Sequence, residues 1–143
     1  MVFDEERILE KIVYIQGQVL AIRNLLNENS KEEVIANQWL IKGLKYSLQT
    51  SVEAMIDIAF HISAKHLQKA PADGRDAIAI LTQSGILADG ERELYSAMIG
   101  FRNRVVHGYQ TISSERVYEI SSTDLEVFAF FIRQIRSFLG INK

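Results

Sequence analysis

Ile41 to Ile62 reads I-K-G-L-K-Y-S-L-Q-T-S-V-E-A-M-I-D-I-A-F-H-I, and the period of its apolar residues decides the fold class. Ile41, Leu44, Leu48, Val52, Met55, Ala59 and Ile62 recur at intervals of three and four. That spacing lines one side of an α-helix and matches no strand alternation. Followed back to Ser30 and forward to about Lys69, the pattern predicts the longest helix of the chain and the backbone of a bundle. Ser30 opens it as an N-cap. Glu33, three residues on, completes the capping-box pattern in which a hydroxyl and a carboxylate satisfy two otherwise orphaned amides.

Upstream, Ile8, Ile12, Ile15, Val19, Ile22 and Leu26 form an apolar stripe that predicts a helix from about Asp4 to Leu26, ended by the polar run N-E-N-S (Asn27 to Ser30). Downstream, Pro71 and the following Ala72-Asp73-Gly74 break the period. Asp73 then caps a short helix through Leu81 that Ser84-Gly85 closes. Asp89 is the expected cap of the next helix, whose apolar side is Leu94, Met98, Phe101 and Val105 and whose end is Gly108. After a polar loop, Ser113 or Ser114 begins a short helical piece. Thr123 with Glu126 reads as a second capping box, for a last helix that buries Leu125, Phe128, Ile132, Ile135 and Leu139. Short connections between long helices predict an all-α chain, an antiparallel four-helix bundle with an additional short helix, forming one domain over residues 1–143.

Composition agrees with this. A single proline and eight glycines leave little room for a turn-rich sheet protein. No apolar run approaches a membrane span, and M-V-F-D-E-E-R at the start is too acidic for a signal peptide, so the expectation is a cytoplasmic protein. The absence of cysteine excludes disulfides and thiolate metal sites. A net charge of −2 weighs against a sequence-independent nucleic-acid coat, which works by neutralising phosphates. A local basic cleft is still compatible with it, since Arg92, Arg102, Arg104 and Arg116 lie close together in sequence.

One stretch carries residues suited to chemistry on a phosphate: F-R-N-R-V-V-H-G-Y, Phe101 to Tyr109. Arginine offers a planar fork of donors that fits phosphate oxygens, and histidine both takes and gives a proton near neutrality. His107 falls in the last helical turn, where the macrodipole favours a cation. At 100° per residue Arg102 and His107 are about 140° apart around the axis, whereas Asn103 and His107, four apart, share a face. One helix therefore does not aim Arg102 and His107 squarely at one phosphate, but two copies packed about a twofold axis would.

Glu53, Asp57 and His61 form a polar stripe at four-residue spacing on the long helix. It reads as a solvated face or intrahelical ion pair, or as a support in which Glu53 or Asp57 holds Arg102 or the His107 ring by hydrogen bond. A metal site of Asp57, His61 and His107 is a third reading, although no ligand spacing there is a recognised one. His66 reads as a solvent-facing residue near a helix end. Trp39 and Tyr46 read as core or interface packing in preference to base stacking.

The order Arg102, four residues, His107, one residue, Tyr109 resembles the signature of the HEPN superfamily and, within it, the HepT toxins of prokaryotic HepT–MntA toxin–antitoxin pairs. S-V-E-A-M-I-D-I-A-F-H-I (Ser51 to Ile62) and S-G-I-L-A-D-G-E-R-E-L-Y-S-A-M-I-G-F-R-N-R-V-V-H-G-Y (Ser84 to Tyr109) resemble the family's central and penultimate helices. The resemblance implies a metal-independent endoribonuclease that needs no cofactor and works on RNA as a homodimer. In that reading Arg102 and His107 are catalytic, and Asn103, Arg104, Glu53 and Asp57 support them. It also implies a partner, an MntA-like minimal nucleotidyltransferase antitoxin that silences the toxin by transferring AMP from ATP onto the tyrosine two residues after the histidine, here Tyr109. Without the resemblance, Tyr109 reads as a residue that packs or hydrogen-bonds at the helix end. This chain lacks the Gly-Ser and paired-aspartate pattern of a nucleotidyltransferase, so that activity must come from elsewhere. The alternative of another class is a non-catalytic helical subunit that partners a nucleotidyltransferase and presents substrate to it.

Overall fold

A computed structural model describes residues 4–108 and 111–140, and every regular element among them is helical. The first helix, α1 (Glu5–Glu28), is capped by Asp4, whose carboxylate accepts the Arg7 amide at 3.1 Å. Its expected stripe turns inward: Ile8, Ile12, Ile15 and Ile22 are buried, with Val19 and Leu26 half-buried at the edge.

The capping box at Ser30 forms. Glu33 N–H donates to Ser30 Oγ at 3.1 Å and Ser30 N–H donates to Glu33 Oε1 at 2.7 Å. The helix it opens, α2 (Lys31–Ala36), is however only six residues long. Asn37 interrupts the expected single helix. Its backbone is extended, at φ −104° and ψ 105°, and its side-chain oxygen accepts the amides of Trp39 and Leu40 at 2.9 and 3.2 Å. Asparagine competes well for helical amides, so it ends one helix and caps the next. The long helix α3 therefore spans Gln38–Lys65, and the chain leaves it through Gln68 at φ 57°, short of the expected Lys69.

All seven stripe residues of α3 are buried. The helix runs antiparallel to α1, since partners on α3 fall in number as those near α1 rise: Asp4 N–H to His61 Nε2 (2.8 Å), Lys11 Nζ to Asp57 (3.0 Å), Tyr14 OH to Thr50 Oγ1 (2.8 Å). Next comes α4 (Gly74–Gln83), capped by Asp73 through the Asp76 amide at 2.8 Å. Its first residue seats closely on α3, where a Cβ on Gly74 would lie 3.0 Å from Ile56 Cδ1.

Asp89 does not cap the motif helix. Residues Asp89–Glu91 form a single 3₁₀ turn that leads into α5 (Arg92–His107), which has no side-chain cap. Leu94 is likewise displaced from its expected place in the core and is 46% exposed. The position inside belongs to Tyr95, whose ring meets Phe131 edge-on at 5.8 Å and whose hydroxyl donates to Gln134 Oε1 at 3.2 Å. A buried aromatic with its hydroxyl satisfied outweighs a leucine in setting the rotation of the helix. Burial pushes that phenol's pKa well above its ordinary value. The helix ends, as expected, at Gly108, which takes the left-handed φ of 69°.

Ser113 caps α6 (Ser114–Thr123). The capping box expected of Thr123 and Glu126 does not form, because Thr123 is still inside α6. Its hydroxyl bonds back to the Glu119 carbonyl at 2.7 Å. The last described helix, α7 (Glu126–Leu139), buries Val127, Phe128, Phe131, Ile132 and Ile135. Gln134 ties α7 to the start of α5: besides Tyr95 it accepts the Ala88 amide at 3.2 Å and donates to Glu91 Oε1 at 2.6 Å. Thus α1, α3, α5 and α7 make an antiparallel four-helix bundle, with short helices set against it. No described helix is long and apolar enough to cross a membrane.

Candidate active site at the end of helix α5

A cleft of about 410 Å³ opens between α3, the start of α4 and the last turns of α5. From α5 it takes Arg102, Asn103 and His107, from α3 Glu53 and Asp57, and from α4 Arg75. A larger hollow of about 810 Å³ lies between α1 and α7, floored by Leu20, Phe128 and Ile132. Its lining includes no histidine or carboxylate, so it has no group able to move a proton near neutrality.

Although about 140° apart on the helix, Arg102 and His107 both line this one cleft. The long arginine arm is drawn round by α3: Arg102 Nε donates to Glu53 Oε2 at 3.1 Å, and Nη2 forms an ion pair with the same oxygen at 3.0 Å. Gln49 donates to that oxygen as well, at 3.2 Å, and Arg102 Nη1 reaches the Asn103 carbonyl oxygen at 3.2 Å. Two side chains, each about a third exposed (28% and 33%), are held in one geometry facing the cleft. Asn103, whose carbonyl oxygen takes that bond, stands on the same helical face as His107.

The rest of the polar stripe on α3 goes elsewhere. Asp57, at the edge of the cleft, pairs with Lys11 at 3.0 Å and not with Arg102. The ring of His61 accepts the Asp4 amide at 2.8 Å. Its pKa is lowered, first by burial and then by Arg7 and Lys65, with the Asp4 carboxylate pulling the other way. Asp57, His61 and His107 do not assemble, and no three metal-ligating side chains come together among the described residues.

Of the arginines near the motif, Arg92 pairs with Asp89 at 3.8 Å and Arg116 with Glu119 at 2.6 Å. Neither lines the cleft. Arg104 is exposed, with Nη1 about 4.0 Å from where a Cβ on Gly100 would stand. Tyr109 lies outside the described residues. Trp39 and Tyr46 are not part of the chain's core. They are 78% and 63% exposed, and Lys42 sits over the Trp39 ring at 4.7 Å. His66 is exposed and meets Phe138 edge-on at 4.9 Å.

Arg75 is the residue that reading the sequence missed. The available signal was its position: a cation in the first turn of a helix capped by Asp73 opposes the macrodipole, so its reason for being there is to be sought outside the helix.

A family model described as ribonuclease HepT-like matches residues 15–135. The mRNA nuclease HepT of Shewanella oneidensis is 29% identical over 132 residues, 91% of this chain and 96% of that protein. A tRNA nuclease HepT of Aphanizomenon flos-aquae is 32% identical over 92 residues, 64% of this chain and 63% of that one. Among solved structures, the tri-AMPylated HEPN toxin of Shewanella oneidensis in complex with an MNT antitoxin superposes with a TM-score of 0.85 at 28% identity, covering 94% of this chain and 99% of that one.

Proposed function

The chain belongs to the ribonuclease HepT-like family, and from that membership we propose that it is a metal-independent endoribonuclease toxin whose site is the cleft of Arg102 and His107. The observation that carries this is the convergence of Arg102, held by Glu53, with Asn103 and His107 on one cleft. In RNA the ribose 2′-hydroxyl is an internal nucleophile. A base removes its proton, the oxygen attacks phosphorus, and an acid protonates the departing 5′-oxygen. Arg102 clamps the phosphate and meets its growing negative charge with a preorganised fork. His107 is the group that exchanges protons.

Base and acid must be two groups, and one chain has one motif histidine. The catalytic unit is therefore a homodimer in which two motifs face each other, one ring neutral and one protonated, titrating as a coupled pair. The partner that restrains it is an MntA-like nucleotidyltransferase in the same cytoplasm, acting on Tyr109. A nucleotide attached two residues from His107 carries phosphate into the cleft and competes with RNA for Arg102.

Two expected results test this. RNA is cleaved in the presence of EDTA and left with 2′,3′-cyclic phosphate ends, while DNA and 2′-O-methylated RNA resist because neither has the nucleophile. A requirement for a divalent metal, or cleavage of the methylated strand, would falsify the mechanism. With ATP, magnesium and the nucleotidyltransferase encoded beside it, the chain gains one or more AMP units by intact-mass spectrometry and loses activity, and Tyr109→Phe gains none. Equal modification of Tyr109→Phe removes Tyr109 from the scheme.

A further inference from the structure

The cleft holds a cation that the mechanism above does not use. Arg75 crosses from α4 onto α5, with Nε donating to Ser96 Oγ at 3.0 Å and Nη2 to the Ser96 carbonyl at 3.2 Å. The end of the side chain passes close over Gly100, where a Cβ would lie 2.8 Å from Arg75 Nη2. Ser96, Gly100, Asn103 and His107 follow one another at intervals of four, three and four. Arg75 therefore lies over the face of α5 that carries His107, the face from which Arg102 is about 140° removed.

The charges around the cleft single out the same residue. Glu53 is taken by Arg102, Asp57 by Lys11, and Asp73 by the amide it caps. Arg75 has no carboxylate within ion-pair distance among the described residues, and the two groups it donates to, both on Ser96, are neutral. It is anchored without being neutralised. A cation in the first turn does nothing for α4, so neither helix stability nor an ion pair accounts for it.

We infer that Arg75 forms a second phosphate subsite, taking a phosphate that flanks the scissile one as the RNA strand runs along α5. From Gly100 to His107 the helix rises about 10 Å, which sets the Arg75 phosphate apart from the bond at which His107 exchanges protons. The subsite rests on the ribonuclease reading and extends it. Because a backbone contact carries no sequence information, the subsite adds affinity alike for every RNA.

Binding is measured in a His107→Ala parent, which leaves the RNA uncut, by fluorescence anisotropy of a single-stranded RNA oligonucleotide over a range of salt. Adding Arg75→Ala weakens binding about tenfold and lowers the slope of log K against log salt by about 0.7, whatever the oligonucleotide sequence, with no loss of Tm. Gly100→Ala keeps the arginine and shifts only the end of its side chain, and is expected to weaken binding in the same direction but by less. Unchanged affinity and salt slope in the two variants, with the parent still binding RNA, overturns the subsite alone. A loss confined to Arg75→Ala and accompanied by a fall in Tm assigns Arg75 to packing and also overturns it. A parent that binds no RNA, with a wild type that cleaves none, overturns the ribonuclease reading and the subsite with it.

Discussion

His107→Ala is expected to abolish RNA cleavage and leave the bundle standing. In a dimeric site the substitution removes the base and the acid together. General acid–base help is worth about 10²–10⁴ for a positioned group, so losing both lowers the rate by at least about four orders of magnitude, to the limit of detection. The fold has little to lose: His107 is exposed in the last turn of α5, outside the core of Tyr95, Met98, Ile99 and Phe101. Substitutions at such positions shift stability by about 0.5 kcal/mol or less. A gel assay beside a thermal melt separates the two quantities. Co-expression with wild type tests the shared site. A mixed dimer has one histidine and is inactive, so activity falls faster than the wild-type fraction. Activity that falls only in proportion to that fraction, or a monomer by light scattering at micromolar concentration, assigns a complete site to each chain and removes the dimer from the mechanism.

Arg102→Ala follows as the second large effect, a fall in kcat of about 10²–10³, the usual consequence of removing a donor that meets transition-state charge. What distinguishes this site is the expected behaviour of Glu53. One oxygen of its carboxylate accepts the arginine's Nε and pairs with Nη2, so Glu53→Ala frees the guanidinium from its orientation without removing it, and activity falls by about tenfold. The double variant is no worse than Arg102→Ala alone, because a positioning residue has nothing left to position. Additive losses would mean that Glu53 acts on the substrate by itself. Both side chains are about a third exposed, and such a pair adds little to stability. Tm is therefore expected to stay nearly constant across the cycle while kcat changes.

The apolar period made α1 and α3 legible because each buries one side along its whole length, and burial of that kind is written every three or four residues. Asn37 was not legible for the same reason: the hydrophobic period runs on past it, and the break consists of a side-chain oxygen accepting two amides. Ser30 and Thr123 carry the same local pattern with opposite outcomes. The pattern does not tell which helix owns the residue, and Thr123 belongs to the one before. The choice of Tyr95 over Leu94 depends on Gln134, which is 39 residues away. Within the site, Arg102, Asn103 and His107 could be read because they share one helix. Glu53 could be read only as one of several carboxylates with several partners to choose from, and Arg75 not at all, since its place is set by hydrogen bonds to Ser96 on another helix.

Gln134 also bears on the order in which the molecule comes into being. Domains generally fold as units, and α5 leaves the ribosome before α7, the last of the described helices. Until Gln134 has been synthesised, the Ala88 amide and the Tyr95 hydroxyl lack the acceptor that anchors the start of the motif helix, and Glu91 lacks its donor. Arg102 and the Glu53 that holds it are by then already in the growing chain, but the start of their helix is not yet tied down. The anchored form of the motif helix therefore waits on the last described helix of the bundle.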